Sequence, residues 1–457
     1  MPAYQSRMVR VAVGACLAAT AIATPTPVER EAVTPAAVLE RAASSTPITN
    51  QNQLDQAFSS VPADVESIAA GVSVLEAIFT NIVPAPGPTA VAQLQQELKT
   101  IYSANPQDIF KSGADILLAG LAGGDYEDLV EAFTVENNAS NVNPVVPGIY
   151  DISGDAPYDI SEDQLRQVIY IPPEYTYGKE PPVIFLPGTA VLAGTNFGPN
   201  YGKLFKQNHI ADPVYLNLPG MNLADIQGAA EYVAYAVTTI SWSAGSVDAQ
   251  WALKYWPSIR PKYDNKISIS ADYHGTILAQ SLCPGTVTLG SDPAICQQRY
   301  NSTFIRTLRN NGGDSAYIPS TNVYSIFDEI VQPQEDPNAS GFLNDARGVG
   351  VTNVELQSVC GAVLPGGAFY NTHEGVLYNA LAYALAVDAI QNGGPGQLSR
   401  VNPALQCAQF ATPGLSLADI LATEANIPIA VAAVIAFEPK TADEPPIKAY
   451  AQKDTPT

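Results

Sequence analysis

Ile240-Ser241-Trp242-Ser243-Ala244-Gly245-Ser246 is the stretch on which the reading of this chain turns. A serine between small residues follows the β-branched Val237, Thr238, Thr239 and Ile240. That is the pattern of a strand turning sharply into a helix and exposing the serine oxygen. Gly245 suits the turn, because a side chain there would collide with the neighbouring strand. Ser241 occupies the place of the usual first glycine and is still small.

Outward from this turn, the chain alternates between strand and helix from about residue 170. Short apolar runs predict strands at 182–186, 213–218, 266–270 and 322–326, and helical patterns fit 223–236 and 246–256. Such alternation implies an α/β fold with a mostly parallel central sheet covered by helices on both faces. One junction is tight. The helix 223–236 runs almost directly into a strand predicted at 237–240, whereas such connections normally take about 2–6 residues. Either that strand is shortened at the expense of the helix, or the sequence lacks a piece there.

A serine hydroxyl is a weak nucleophile unless a base takes its proton, and a third group must orient that base. The chain has three histidines, His209, His274 and His373. In hydrolases built on this kind of turn the order is serine, acid, histidine, which selects His373. The acid belongs at the end of an intervening strand, where sites form in parallel sheets. Asp328 follows the strand 322–326, while Asp272 competes but comes too soon after the serine. Glu329, next to Asp328, is expected to point elsewhere. The amide of Ala244 supplies one oxyanion donor, and Thr189, in the loop after the first strand of the domain, supplies a second.

The remaining sequence sets the context. Acidic residues number 44 against 22 Lys and Arg, for a formal charge of −22, which argues against nucleic acid or anionic membranes as partners. Residues 1–23 read as a secretion signal, with Arg7 and Arg10 before an apolar run and a small-x-small end. No other stretch is expected to span a bilayer; the apolar segment 415–437 is read as core helix. Residues 24–150 form a Pro/Ala-rich and helical pro-region or cap, with helices near 65–82, 90–102 and 114–133 and a break at 84–88. A partner-binding module is the lesser option there. The catalytic domain is expected over 151–445, with a tail at 446–457. Without the signal, four cysteines remain in an exported chain, enough for two disulfides. Three pairings are possible, of which Cys283–Cys296 with Cys360–Cys407 is preferred. Asn138, Asn301 and Asn338 head glycosylation sequons.

Several strings resemble the Candida antarctica lipase B-like fungal lipases of the α/β-hydrolase superfamily. They include Leu186-Pro187-Gly188-Thr189, Trp242-Ser243-Ala244-Gly245, Asp272-Tyr273-His274-Gly275-Thr276 and Asp328-Glu329-Ile330-Val331-Gln332-Pro333-Gln334. The resemblance covers about residues 180 to 440. It implies a secreted, monomeric ester hydrolase acting on triacylglycerols and other esters at an oil–water interface, with no cofactor or metal. It implies Ser243 as nucleophile, His373 as base and Asp328 as acid, with Thr189 and Ala244 forming the oxyanion hole. Trp242, Gln298, Ile330 and Val331 would line the substrate pocket, and Cys360–Cys407 matches a disulfide of the family. Ala244 stands where the family has glutamine, and Cys283–Cys296 falls in the expected lid, 280–297. Two other readings remain: a narrower esterase or lactone-acting enzyme, and a binding protein on a decayed hydrolase fold.

Overall fold

The computed structural model describes residues 46–59, 61, 68–105, 108–131, 150–237 and 239–456. The proposed signal, nearly all of the Pro-rich stretch after it and the Asn138 sequon lie outside the described residues.

Seven strands make one sheet: β1 Ile169–Tyr170, β2 Pro182–Leu186, β3 Asp212–Leu216, β4 Ile240–Trp242, β5 Lys266–Ile269, β6 Ser320–Tyr324 and β7 Val351–Glu355. Their order is β1-β3-β2-β4-β5-β6-β7, and every neighbouring pair is parallel except β1 with β3. The α/β-hydrolase expectation therefore holds. β4, β5 and β6 are buried at every residue, as strands covered on both faces must be. The edge strands β1 and β7 were not expected: one has two residues, and the other mixes polar and apolar residues at a half-buried edge.

The tight junction resolves as a shortened strand. The helix before it, Ile226–Ala236, is capped at its start by the Asp225 side chain and ends at Val237, which takes a left-handed conformation (φ 59°). The predicted strand at 237–240 is thus corrected to Ile240–Trp242, three residues long. Val237 is spent on reversing the chain, in the position where a helix usually places glycine. Pairing starts at once: the Thr239 amide donates to Ile184 O (2.9 Å), and Thr239 O accepts from the Ile267 amide (2.9 Å). The helix after the turn spans Ala244–Tyr255 and shares a buried core with the one before it through Ile226, Val233, Val247 and Trp251.

Among the described residues, five N-terminal helices follow one another: α1 Gln51–Ser59, α2 Ile68–Asn81, α3 Val91–Ala104, α4 Ile109–Leu118 and α5 Tyr126–Glu131. The predicted helix at 114–133 is really two, parted by a turn in which Gly120 and Gly123 have positive φ. Leu94, Leu98 and Ile116 belong to the same buried cluster as Ile240, Ile267 and Val323 of the sheet, so these helices share the main core. Near the other end lie α6 Leu417–Glu424 and α7 Asn426–Ala436. Leu417–Ala436 is long and apolar enough to cross a membrane by length and composition, yet 78% of its most apolar 18-residue window is buried in the fold, as a core helix requires. α4 packs closely on α7. A Cβ at Gly113 would lie 2.9 Å from Val431 Cγ2 and 3.4 Å from Pro428 Cα.

A β-branched residue in the left-handed region costs about 1–2 kcal/mol. Val237→Gly is therefore expected to stabilise the protein by about 1 kcal/mol, read as a higher urea midpoint with an unchanged slope. A lower midpoint would show that Val237 packing outweighs the strain.

Candidate active site

Ser243 stands between β4 and the helix Ala244–Tyr255 with φ 53° and ψ −132°. Neighbouring chains enforce this conformation. The Ser243 amide donates to Ile269 O (3.0 Å) on β5, and the Ser246 amide donates to Ser243 O (2.9 Å). A Cβ at Gly245 would fall 2.4 Å from Pro187 O, and one at Gly188 would fall 2.6 Å from the Trp242 ring and 2.9 Å from Ser243 Cβ. Only glycine fits either place. Ser241 is tolerated because its hydroxyl is bonded to those of Ser246 (2.9 Å) and Ser268 (3.2 Å).

His373 Nδ1 lies 2.8 Å from Asp328 Oδ2, with both side chains buried. The other Asp328 oxygen accepts the amides of Ile330 (3.0 Å) and Val331 (2.7 Å), which fixes the carboxylate. The His373 backbone is pinned from both sides. Its amide donates to Glu329 Oε2 (3.0 Å), and its carbonyl accepts from Trp242 Nε1 and Ser270 Oγ, each at 3.0 Å. Glu329 thus leaves the imidazole to Asp328, as expected, and instead holds the histidine's main chain.

Ser243 and His373 line one apolar cavity together with Thr189, Trp242, Gln298 and Ile330. Gln298 Nε2 donates to Thr189 Oγ1 (2.9 Å), and the Thr189 hydroxyl donates to Gln298 Oε1 (3.2 Å). Ala244 is buried as the first residue of its helix, where amides have no acceptor within the helix. Val331 is buried and is not among the residues that line this cavity; its amide donates to Asp328 Oδ1 (2.7 Å).

The other candidates lie elsewhere. His209 is exposed and paired with Glu180 (2.9 Å), and His274 is buried, with burial lowering its pKa to about 4. Asp272 is fully buried, neither of its oxygens has a hydrogen-bond partner, and burial pushes it up to about 7. It does not bond His373. Both preferred disulfides are present, and Cys283–Cys296 ties together the segment whose Leu282 and Ile295 form one cavity wall. Asn301 and Asn338 are exposed.

Two walls of the cavity come from segments read in sequence as a pro-region or cap and as a core helix whose family counterparts flank the pocket mouth, and their lining residues were not named. Ile109 and Phe110 enter from α4, and Ile427, Val431 and Val434 from α7. Neither helix carries a polar motif that would have marked it. The only signal was apolar periodicity, which reads equally well as core.

Comparison with known proteins agrees with this geometry. No family model matches the chain. Lipase B of Pseudozyma antarctica is 32% identical over 285 residues, covering 59% of this chain and 79% of that protein. The crystal structure of Aspergillus fumigatus lipase B is 40% identical with a TM-score of 0.76, covering 88% of this chain and 99% of that one. The second match necessarily takes in N-terminal helices as well as the sheet. With these relatives, the seven-stranded sheet and the turn at Ser243, the chain belongs to the lipase B family of fungal α/β-hydrolases.

Proposed function

We propose that this ester hydrolase acts on triacylglycerols, with Ser243 as nucleophile, His373 as general base and Asp328 as the acid that orients it. The observation that carries this reading is the buried 2.8 Å bond from His373 to Asp328 at the wall of the apolar cavity that Ser243 also lines. Asp328 holds the proton on Nδ1, leaving Nε2 to take the proton of Ser243 as its oxygen attacks the ester carbonyl. The tetrahedral oxyanion is met by the Ala244 amide at the helix start and by Thr189. Thr189 Oγ1 accepts from Gln298 Nε2 and gives its one hydroxyl proton to Gln298 Oε1 (3.2 Å), so that proton turns from Gln298 to the oxyanion as charge develops there. His373 then protonates the leaving alcohol, and water repeats the sequence on the acyl-enzyme. No cofactor enters this scheme.

In this reading residues 24–150 act as a cap on the cavity rather than a discarded pro-region, supported by Ile109 and Phe110 in its wall. Two disulfides and exposed sequons at Asn301 and Asn338 support secretion and glycosylation. The narrower-esterase reading is favoured by one observation: Phe110 and the disulfide-tied segment face the same cavity, which limits bulky substrates.

Ser243→Ala is expected to lower kcat/KM on tributyrin and on a short p-nitrophenyl ester by at least about 10⁴-fold with an unchanged circular-dichroism spectrum. Retained hydrolysis by the folded variant would remove Ser243 from the mechanism. Thr189→Val should cost about 10²–10³ in kcat, because one oxyanion donor is lost. Equal kcat would place the hole elsewhere. Phe110→Ala should raise the kcat/KM ratio of long-chain over butyrate esters by about tenfold, as expected for relieving a wall by a few methylenes. An unchanged ratio would mean that α4 does not limit the acyl site.

A further inference from the structure

Beside the His373 loop lies a group of buried carboxyls that the catalytic scheme does not use. Glu374 follows His373 and is fully buried, and its Oε1 accepts a hydrogen bond from Tyr102 of α3 (2.7 Å). Glu424, at the end of α6, is also fully buried, and its Oε1 accepts from the Tyr378 hydroxyl (2.8 Å). The charge of Glu374 acts on Glu424, and neither Glu374 Oε2 nor Glu424 Oε2 receives a hydrogen bond from a donor. Two buried carboxyls in each other's field resist both being ionised, which favours a proton on one of them.

No cation relieves this pair. Among the described residues, no ion pair involves Glu329, Glu374 or Glu424. The titratable groups around it are Glu329 and Asp328 after β6, His373, Tyr370 and Tyr378 on its own segment, and Tyr102 on α3. Burial and then the charge of Glu374 push Glu424 well above the usual carboxylate range. Burial, then Glu374 and Asp328, do the same to Glu329.

The second observation is what this pair fastens. Lys99 and Tyr102 share one face of α3, at helical spacing, and meet the chain on either side of His373. Lys99 Nζ sits 5.7 Å from the centre of the Phe369 ring, and Tyr102 donates to Glu374. Helix α3 therefore lies as a strap along the loop that carries the base.

We propose that Glu374 is a positioning residue for His373, held by one proton on the Glu374–Glu424 pair, and that loss of this proton as pH rises unfastens α3 from the His373 loop. The proton leaves to bulk water, and two buried carboxylates are left facing each other. Their repulsion and need for water are met by opening the cluster toward α3, whose tie to Glu374 is a single hydroxyl. A carboxyl whose pKa is raised on folding stabilises the folded form below its unfolded pKa, and that stability fades as pH rises through the folded pKa. The strap is thus tight in acid and loose in alkali. Its effect on turnover rests on the catalytic role of His373, but the docking of α3 does not.

The test is hydrogen exchange of the intact protein over Val91–Ala104, corrected for intrinsic rates, between about pH 5 and about pH 9. Wild type is expected to lose about tenfold or more in protection across this range. Glu424→Gln, which is neutral and carries no titrating proton, is expected to stay within about threefold. Tyr102→Phe, which removes only the hydroxyl, is expected at about pH 5 to match wild type at about pH 9. On a short soluble ester, Glu424→Gln should keep its kcat further into alkali than wild type. Parallel pH dependence in wild type and Glu424→Gln, or constant protection in wild type, would overturn the proposal. So would a Tyr102→Phe protein that keeps the wild-type profile, which also decides the matter if Glu424→Gln fails to fold.

Discussion

The constraint on which the rest depends is the close approach of the β2 end to the turn at Ser243. Pro187 O sits where a side chain of residue 245 would be, and the Trp242 ring sits where one of residue 188 would be. The serine is held at positive φ, a conformation costing about 1–3 kcal/mol. It is kept there by packing against β2 and by its amide bond to β5. A strand of only three residues can bear this load because it lies in mid-sheet, with parallel partners on both sides from its first residue.

From that fixed point the site is assembled by backbone as much as by side chains. Trp242, immediately before Ser243, donates to the carbonyl of His373, and Glu329, immediately after Asp328, accepts from its amide. These two neighbours thus hold His373 by its main chain. The imidazole is left with one strong partner, Asp328, whose second oxygen is taken by two amides of its own loop. The N-terminal helices complete the arrangement from outside, closing the cavity with Phe110 and bracing the His373 loop through α3.

Much of this was legible in the sequence, and for physical reasons. β2 is an apolar run that starts at a proline and runs into Pro187-Gly188, so it was placed to the residue; chain order pointed to His373 and the position after a strand to Asp328, and the structure pairs the two. Other features left no local mark. Val237 reads as a strand former, and only the need to reverse the chain before β4 puts it in a left-handed turn. Val331 looked like a pocket residue by analogy, yet its contribution is an amide. Phe110 and Glu424 lie about 130 residues or more from Ser243 in sequence, and no local pattern announces such partners. The apolar segment 415–437 reads as core helix by pattern, with only the family resemblance to set it at the pocket mouth, and its second helix, α7, lines the cavity.

The central claim, that Ser243 is activated by His373 and Asp328, is tested most directly by labelling the native protein with a fluorophosphonate and mapping the adduct by mass spectrometry. One phosphonyl group is expected, on Ser243, with its rate of attachment falling steeply in His373→Ala. Labelling of a different residue, or unmodified Ser243 in a preparation whose ester hydrolysis the reagent abolishes, would contradict it.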